Sequence, residues 1–332
     1  MRITFDLRRV GLGNNGGSST IINSANTLVD LGHEVYVVDS GKNSHTWTHL
    51  KAEHLRCNKI PDADFIIATG YKSVSPTVSA PSSCGIKLHW LRAWETWQMP
   101  ERDIVKKVLG APTIKLVNGM GLHSKLRLYN YKSHVVRPGY DIENFKPLGI
   151  REKNKKIIIG GLYNQDRGNQ EKRTSWLHQT AFEIKTKRDD IEFWMFGTHS
   201  RPKGFLMDHY VRQPSLKEKN EFYNHINIWL APSSLEGLHM PPAEAMLTEC
   251  PVLGTNAEMN GMKEYLFHMK TGLICLNNLT SFIKATVNFI DDKELQIQLG
   301  KKARKTILEL GSRKENMIKF VDLLKRLKDE NI

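Results

Sequence analysis

The sequence is poor in cysteine and lacks long apolar runs, and each of these features argues against a particular class of protein. Its 4 cysteines, Cys57, Cys84, Cys250 and Cys275, are scattered without the paired spacing of a zinc site or a disulfide framework. No apolar stretch approaches the ~20 residues of a membrane-spanning helix, and the opening MRITFDLRR is too short for a secretory signal. These features predict a cytoplasmic protein without metal or disulfides.

Acidic residues are also scarce relative to basic ones. The chain has 35 Asp and Glu against 48 Lys and Arg, a net charge of +13. Between Arg102 and Arg137 eight basic residues accompany one acidic residue, and from Lys301 onward the ratio is ten to five. This balance suits an anionic substrate, an acidic glycan, an anionic membrane surface or, for a non-enzymatic module, nucleic acid. More often such charges form a solvated face.

The N-terminal half begins with a strand–loop–helix–strand unit. Residues 1–7 predict a strand, residues 8–17 (RRVGLGNNGG) a glycine-rich loop, and Ser18 or Ser19 the cap of a helix that ends at Gly32. A second strand is expected over 32–39. Such a unit typically starts a parallel, doubly wound α/β sheet, and 332 residues suffice for two such domains.

The same loop permits a different function. Gly11, Gly13 and Gly16 spell G-x-G-x-x-G, and Asp39 ends the next strand, where a dinucleotide-binding protein holds a ribose. An NAD-dependent oxidoreductase is therefore an alternative. Against it, the first glycine of that fingerprint should end the strand directly, and Arg8, Arg9 and Val10 intervene here.

The most informative stretch is Ser233–Met246, SSLEGLHMPPAEAM, which follows an apolar strand expected over 226–231. Proline is tolerated in the first helical turn, so a helix is expected to begin at Pro241 or Pro242 with Glu244 in that turn. Glu236 then lies on the preceding loop. A helix N-terminus favours phosphate and a carboxylate accepts hydrogen bonds from hydroxyls, so the pattern indicates a nucleotide-sugar site. Each glutamate alone would more often be a cap or a solvated residue.

The longer string from Ala231 to Thr255 resembles the donor-binding segment of retaining glycosyltransferases of the GT-B fold, family four. Two glutamates share this spacing there, and the next strand begins with Pro-Val, here Pro251-Val252. Residues 16–17 (Gly-Gly) and 134–147 (HVVRPGYDIENFKP) are similar to other segments of that family.

The resemblance implies two doubly wound, Rossmann-like parallel-sheet domains facing across a cleft. The implied domains are 1–147 on the acceptor side, a linker at 148–155, a nucleotide-sugar domain at 156–312, and a C-terminal helix at 313–332 that packs back on the first domain. It also implies transfer of a sugar from a nucleotide diphosphate donor to a glycan, lipid-linked or other hydroxyl acceptor, with retention. No cofactor is expected and nucleic acid is not a partner; peripheral membrane contact remains open.

The resemblance also assigns site residues. Glu236, Lys172 and Arg167 are implied as catalytic, the two cations neutralising the leaving diphosphate; Arg173 could replace Arg167. The remaining donor residues are Gly16, Gly17, Gly237, Leu238, His239, Met240, Pro241 and Glu244. The acceptor residues are Arg92, Trp94, Glu95 and Asn118. His239 stands where the family usually has a small residue, which reshapes the sugar pocket.

A D-x-D triplet, Asp62-Ala63-Asp64, invites a metal assignment. D-x-D holds a divalent metal in another class of glycosyltransferase, but here it leads directly into an apolar strand, FIIAT. We therefore interpret it as structural and expect no metal site.

Overall fold

The computed structural model describes residues 1–40, 48–56, 60–165 and 170–330. They form two compact units. Unit 1 comprises residues 1–139 together with the described part of 312–332, and unit 2 comprises residues 140–311.

Unit 1 is built on a parallel sheet with the strand order β3-β2-β1-β4-β5-β6-β7. Its strands are β1 (Arg2–Asp6), β2 (Glu34–Asp39), β3 (Glu53–Arg56), β4 (Phe65–Ala68), β5 (Ile86–Leu91), β6 (Ile114–Val117) and β7 (His134–Val135). The central strand β1 pairs with β2 and β4, for example Ile3 with Val35 and Phe65. Both faces of β4 are buried, which explains its unbroken apolar sequence.

The helices of unit 1 cover this sheet. They are α1 (Gly16–Asp30), α2 (Tyr71–Val78), α3 (Glu101–Asp103, continued by a π-helical segment, Ile104–Leu109), α4 (Met120–Leu128) and α10 (Arg313–Asp329), with a 3₁₀ turn at Ser82–Cys84. The expected cap of α1 is wrong. Asn15 caps the helix because its side chain accepts the Ser18 N–H, whereas the Ser18 hydroxyl accepts the N–H of Gly13.

Helix α10 belongs to unit 1 although it ends the described chain. Its buried side chains Met317, Phe320 and Leu324 lie in one apolar cluster with Phe5 and Trp90 of the sheet. The rings of Phe320 and Trp90 are 5.9 Å apart between centroids. A capping box between Ser312 and Glu315 fixes where the helix begins.

Unit 2 has a second parallel sheet with the strand order β10-β9-β8-β11-β12-β13. Its strands are β8 (Ile157–Leu162), β9 (Ile191–Gly197), β10 (His209–Arg212), β11 (Ile228–Ala231), β12 (Val252–Thr255) and β13 (Leu273–Cys275). Its helices are α5 (Thr174–Lys185), α6 (Leu216–His225), α7 (Met240–Leu247), α8 (Leu279–Ile290) and α9 (Lys293–Leu310), with 3₁₀ turns at Arg151–Lys153, Gln170–Lys172 and Gly261–Glu264. The prediction of two doubly wound parallel-sheet domains is confirmed.

The segment expected to be a linker, residues 148–155, lies inside unit 2. The Leu148 N–H donates to Asn224 Oδ1 at 2.7 Å. The Arg151 guanidinium donates to several backbone carbonyls, including those of Tyr223 and Thr248. These bonds hold the segment against the unit, so the unit boundary falls earlier, between Gly139 and Tyr140.

Among the helices that the structure describes, none is both long enough and apolar enough to span a bilayer.

Candidate active site

The loop between β11 and α7 contains most of the predicted donor residues. All four residues of β11 are buried, and the chain leaves the sheet at Pro232. His239 adopts a left-handed backbone, φ 53°, and acts as the N-cap of α7, with Met240 and Pro241 as its first residues. The side chain of Leu238 packs in the core of unit 2, so its contribution to a ligand would come from its backbone.

Glu236 forms an ion pair with Lys172 in this loop. Its Oε2 lies 2.6 Å from Lys172 Nζ, and the two side chains are 11% and 24% exposed. Its Oε1 lies 3.5 Å from His239 Nε2. The Glu236 N–H donates to the carbonyl of Met259 at 3.0 Å, which fixes the loop backbone. The structure thus brings together Glu236, Lys172 and His239, three residues that the sequence assigned to the donor.

The protonation states of this cluster follow from burial and charge. Burial raises the pKa of Glu236, but the electrostatic interactions with His239 and Lys172 and the hydrogen bonds from Lys172 and Ser233 outweigh it, so the pKa lies below its usual value. Burial lowers the pKa of His239 to about 4 despite the Glu236 carboxylate. His239 is therefore neutral near pH 7, and Lys172 is the charge that keeps Glu236 ionised.

Because the His239 ring is buried, the stability of the folded protein should decrease at acidic pH. An unfolded His239 takes a proton near pH 6.5, whereas the folded ring resists protonation down to about 4. Between these two pH values the unfolded state binds more protons than the folded state. The free energy of unfolding therefore decreases as the pH is lowered, by about 2 kcal/mol from pH 7 to pH 5. Asparagine tolerates the left-handed backbone at this position. His239→Asn should therefore remove this decrease of about 2 kcal/mol in the free energy of unfolding, as measured by urea titrations at pH 7 and pH 5.

The matched control is His49→Asn, because His49 is exposed. It should leave the difference in stability between the two pH values unchanged. Equal pH dependence in the wild type and His239→Asn would contradict the neutral, buried state of this ring.

The sequence analysis did not identify residues 260–265, which contact and support the loop between β11 and α7. Asn260 is buried, and its Nδ2 donates to the carbonyl of Ser233 at 2.8 Å. A Cβ atom on Gly261 would lie 2.0 Å from the carbonyl oxygen of Gly237. Tyr265 donates its hydroxyl proton to the carbonyl of His239 at 2.6 Å. The Asn-Gly pair at 260–261 is a turn signal that could have drawn attention to this segment.

Lys172 reaches the site from a short 3₁₀ turn, Gln170–Lys172. The Ser234 N–H donates to the carbonyl of Glu171 at 2.8 Å, which ties this turn to the loop after β11. The Oε2 atom of Glu171 is buried and has no hydrogen-bond partner among the described residues. Arg167, the other predicted phosphate cation, lies outside the described residues.

Arg173 is the alternative to Arg167, and the structure gives it other contacts. Its guanidinium carbon lies 4.3 Å from the centroid of the Trp176 ring, and Nη1 donates to Asn277 Oδ1. Its backbone is left-handed, with φ 52°, and burial lowers its pKa. Lys172, by contrast, contacts Glu236 directly.

Glu244 does not lie in the first turn of α7, contrary to the sequence prediction. The helix begins at Met240, so Glu244 is the fifth residue and no acidic residue occupies the first turn. Its Oε2 accepts hydrogen bonds from Lys219 Nζ at 2.9 Å and from the Tyr223 hydroxyl at 3.0 Å. Glu244 and Glu236 therefore have different partners within unit 2.

The predicted glycine loop of unit 1 ends at the N-terminus of α1. Gly16 and Gly17 are the first two residues of that helix. A Cβ atom on Gly16 would meet nothing within 4 Å, whereas one on Gly17 would lie 3.3 Å from Arg92 Nη1. Space for close approach to the backbone therefore exists at Gly16.

Arg92, predicted to bind the acceptor, is held by backbone carbonyls. Its Nη2 donates to Thr69 O at 2.6 Å, Nε donates to the same oxygen at 3.2 Å, and Nη1 donates to the carbonyl of Gly17. Burial lowers the pKa of Arg92 to about 10, which leaves the group protonated at neutral pH. The guanidinium thus joins the end of β4 to the start of α1.

We predict that Arg92→Ala lowers the free energy of unfolding by about 2 kcal/mol, since hydrogen bonds from a charged donor contribute about 1.5–3 kcal/mol. Urea denaturation measures this change. Arg102→Ala is the control, because that side chain is 86% exposed and should change stability by less than about 0.5 kcal/mol. Unchanged stability of Arg92→Ala with a raised acceptor KM would instead support the acceptor assignment.

The other predicted acceptor residues differ in accessibility. Trp94 is 3% exposed and stacks on Tyr129 at 6.1 Å, so its ring face is not open to a sugar. Glu95 accepts the Tyr71 N–H at 2.9 Å, and burial raises its pKa. Asn118 is buried and donates to the carbonyl of Arg92 at 2.7 Å, while its Oδ1 has no described partner. These side chains lie near the carboxyl end of β5, and their roles remain predictions.

The geometry gives the dinucleotide alternative no support. Asp39, the candidate ribose ligand, is 1% exposed and lies 3.1 Å from His54 Nε2. Strand β1 ends at Asp6, so Gly11 does not follow the strand directly.

The Asp64 carboxylate of the D-x-D triplet accepts hydrogen bonds from other parts of the chain. Asp64 Oδ1 accepts Lys328 Nζ at 2.7 Å, and Oδ2 accepts the Arg2 N–H at 2.7 Å. Across the described ranges, no group of three or more His, Cys, Asp or Glu side chains is placed to hold a metal ion.

One segment of the second unit matches a known protein family. Residues 154–292 match the family described as glycosyl transferases group 1. A protein of Haemophilus influenzae named as an uncharacterized glycosyltransferase is 29% identical over 92 residues, which cover 27% of this chain and 26% of that relative. The chain therefore matches about a quarter of the length of this curated relative.

Solved structures share the fold over almost the whole chain. A sucrose-phosphate synthase from Thermosynechococcus elongatus superposes with a TM-score of 0.78 at 12% identity, covering 98% of each chain. HepE from Anabaena, solved with UDP-glucose, superposes with a TM-score of 0.77 at 12% identity, covering 98% of this chain and 100% of that one. These likenesses establish the GT-B fold.

Proposed function

We propose that this chain, whose second unit carries a group 1 glycosyltransferase segment, transfers a sugar from a nucleoside diphosphate donor to a hydroxyl acceptor. The observation that carries the proposal is the Lys172–Glu236 pair, which lies beside His239 at the start of α7 and within the matched residues. A cation and an ionised carboxylate at a helix N-terminus fit the two halves of such a donor, the diphosphate and the sugar hydroxyls.

In the proposed reaction the bond between the anomeric carbon and the phosphate oxygen breaks, and its electron pair goes to the diphosphate. The Lys172 ammonium has three donors, one of which Glu236 engages, so others can face the growing negative charge. The N-terminal N–H groups of α7 act in the same direction. The acceptor oxygen then bonds to the anomeric carbon, and its proton passes to the departing diphosphate.

We assign Glu236 to the hydroxyls of the donor sugar, because a charged carboxylate accepts several hydrogen bonds at once. Glu244 is assigned to the ribose: its described contacts are at Oε2, which leaves Oε1 for a ribose hydroxyl. Retention of configuration and independence of metal are further parts of the proposal. The Lys172 ammonium and the N-terminal N–H groups of α7 supply the positive charge that the leaving group requires.

The test is release of nucleoside diphosphate by the purified 332-residue chain from UDP-, GDP- and TDP-sugars, with glycan and lipid-linked acceptors. UDP-glucose enters the panel first because HepE, which shares the fold, was solved with it. We expect release to require one donor and one acceptor class. Binding of NADH or DNA without affinity for any nucleotide sugar would overturn the proposal.

A further inference from the structure

Helix α4 exposes an apolar and basic stripe on the face opposite its core contacts. Leu122 and Leu126 are buried. Met120 and Leu128, eight residues apart and thus on one face, are 49% and 74% exposed. Arg127 is exposed beside Leu128. A helix with this arrangement leaves two large apolar side chains in water next to a cation.

Helix α3 lies beside α4 and adds further cations. Glu101 Oε1 lies 2.8 Å from Lys125 Nζ and 2.6 Å from the Tyr129 hydroxyl, which joins the two helices. Arg102 at the start of α3 has an 86% exposed side chain, and Lys106 is also exposed.

The two carboxylates of helix α3 already form ion pairs with lysines. Asp103 lies 3.2 Å from Lys107 Nζ, and Glu101 is paired with Lys125 as described. Among the residues that the structure describes, Lys106, Arg127 and Lys132 form no ion pair with a carboxylate. The two neighbouring helices and the segment that follows α4 therefore expose more positive than negative charge, together with the apolar side chains of Met120 and Leu128.

We propose that this surface, defined by Arg102, Lys106, Met120, Arg127, Leu128 and Lys132, binds an anionic lipid bilayer. Anionic headgroups attract the lysines and arginines, and the interface accepts the apolar side chains that water does not. A solvated face would have no need of Leu128 or Met120, and a soluble polyanion would gain little from them. The combination of cations with exposed apolar side chains favours the bilayer.

The test is co-sedimentation of the 332-residue chain with phosphatidylcholine vesicles, with and without phosphatidylglycerol. We expect binding that requires phosphatidylglycerol and weakens with salt. The triple variant Lys106→Gln/Arg127→Gln/Lys132→Gln should bind about 100-fold more weakly, at about fivefold per charge. Met120→Ser/Leu128→Ser should bind about tenfold more weakly, because it loses apolar burial.

A matched control removes equal charge elsewhere. Lys301→Gln/Lys302→Gln/Lys305→Gln alters exposed residues of α9 and should bind nearly as the wild type does. Circular dichroism verifies that each variant is folded. Release of nucleoside diphosphate with a soluble acceptor should stay unchanged in every variant, so failure of this inference is distinguishable from failure of the proposed function.

Three results would overturn the inference. Equal binding to vesicles without anionic lipid would remove the charge argument. An equal loss of binding in the α9 control would show that net charge, and not this surface, attracts the bilayer. Unchanged binding of Met120→Ser/Leu128→Ser, together with displacement by a soluble polysaccharide polyanion, would identify the surface as a polyanion site.

Discussion

Lys172→Ala is expected to slow sugar transfer about 10²–10³-fold, the cost typical of removing one group that stabilises developing negative charge. Lys172 is the described cation in contact with Glu236, at 2.6 Å, and it is held by a turn that bonds to the loop after β11. Because the ammonium acts on the leaving diphosphate, kcat should fall more than the affinity for the donor. Nucleoside diphosphate release under saturating donor measures the effect.

Glu236→Gln probes the other half of the same pair. The change keeps the side-chain shape and removes the charge, which leaves the Lys172 ammonium without its carboxylate in a largely buried place. Stability should fall, because breaking a buried pair from one side leaves an uncompensated charge. Transfer should fall as well, since the donor sugar loses its charged acceptor.

The double variant Lys172→Met/Glu236→Gln separates catalysis from structure. Removing both charges together should restore much of the stability that Glu236→Gln loses. If the pair acts on the donor, transfer stays low in the double variant while stability recovers. Recovery of both would show that the pair is structural and would defeat the assignment.

Lys185→Ala is the control for these measurements. Lys185 pairs with Asp208 in the same unit and is similarly exposed, at 25%. Its removal should change stability little and transfer not at all. A comparable loss of transfer in this variant would indicate a general effect of removing ion pairs from unit 2.

The parallel sheets could be predicted from the sequence because their strands have a simple pattern. The strand β11 is apolar throughout, its neighbour β12 is apolar up to Thr255, and both are buried on both faces, so each appears as a short, mainly apolar run. The stripe of α10 was visible for a similar reason, since its spacing repeats with the period of a helix. Local sequence patterns were sufficient to predict these elements, because burial determines which residue types they contain.

Helix starts were harder to predict because several residues can serve as caps. Asn15 and Ser18 both suit the start of α1, and their hydrogen bonds decide between them. In α7 the prolines predicted a start at Pro241 or Pro242, but the helix begins at Met240, after the left-handed backbone of His239. That earlier start moves Glu244 out of the first turn.

Side-chain roles in unit 1 depended on contacts between distant parts of the chain. Arg92 has the charge of a ligand-binding residue, yet its guanidinium donates to the carbonyls of Gly17 and Thr69. Trp94 has the ring of a sugar platform, yet it stacks on Tyr129. Neither partner is near in sequence, so no local pattern could distinguish a buried anchor from an accessible ligand.

The segment at 260–261 that supports the loop at Glu236 also acts through contacts between distant parts of the chain, and it predicts the second large effect. Gly261→Ala would place a Cβ atom 2.0 Å from the carbonyl oxygen of Gly237, a backbone atom that cannot rotate away. One of the two segments must move, which also disturbs the bond from Asn260 to Ser233 at 2.8 Å. Overpacking of this kind typically costs about 1–3 kcal/mol.

We expect Gly261→Ala to lose most of its sugar transfer, about 100-fold, because a displacement of about 1 Å in a positioning element has effects of that size. Gly121→Ala is the control: a Cβ atom there meets nothing within 4 Å, and helix α4 favours alanine. Release of nucleoside diphosphate and urea denaturation are measured on both variants. Since Gly261 carries no side chain to touch a donor, a loss of transfer in a variant that urea denaturation shows to be folded indicates a displacement of the loop that it supports. Wild-type transfer in a variant that unfolds more easily would therefore show that the position of Glu236 does not depend on this contact.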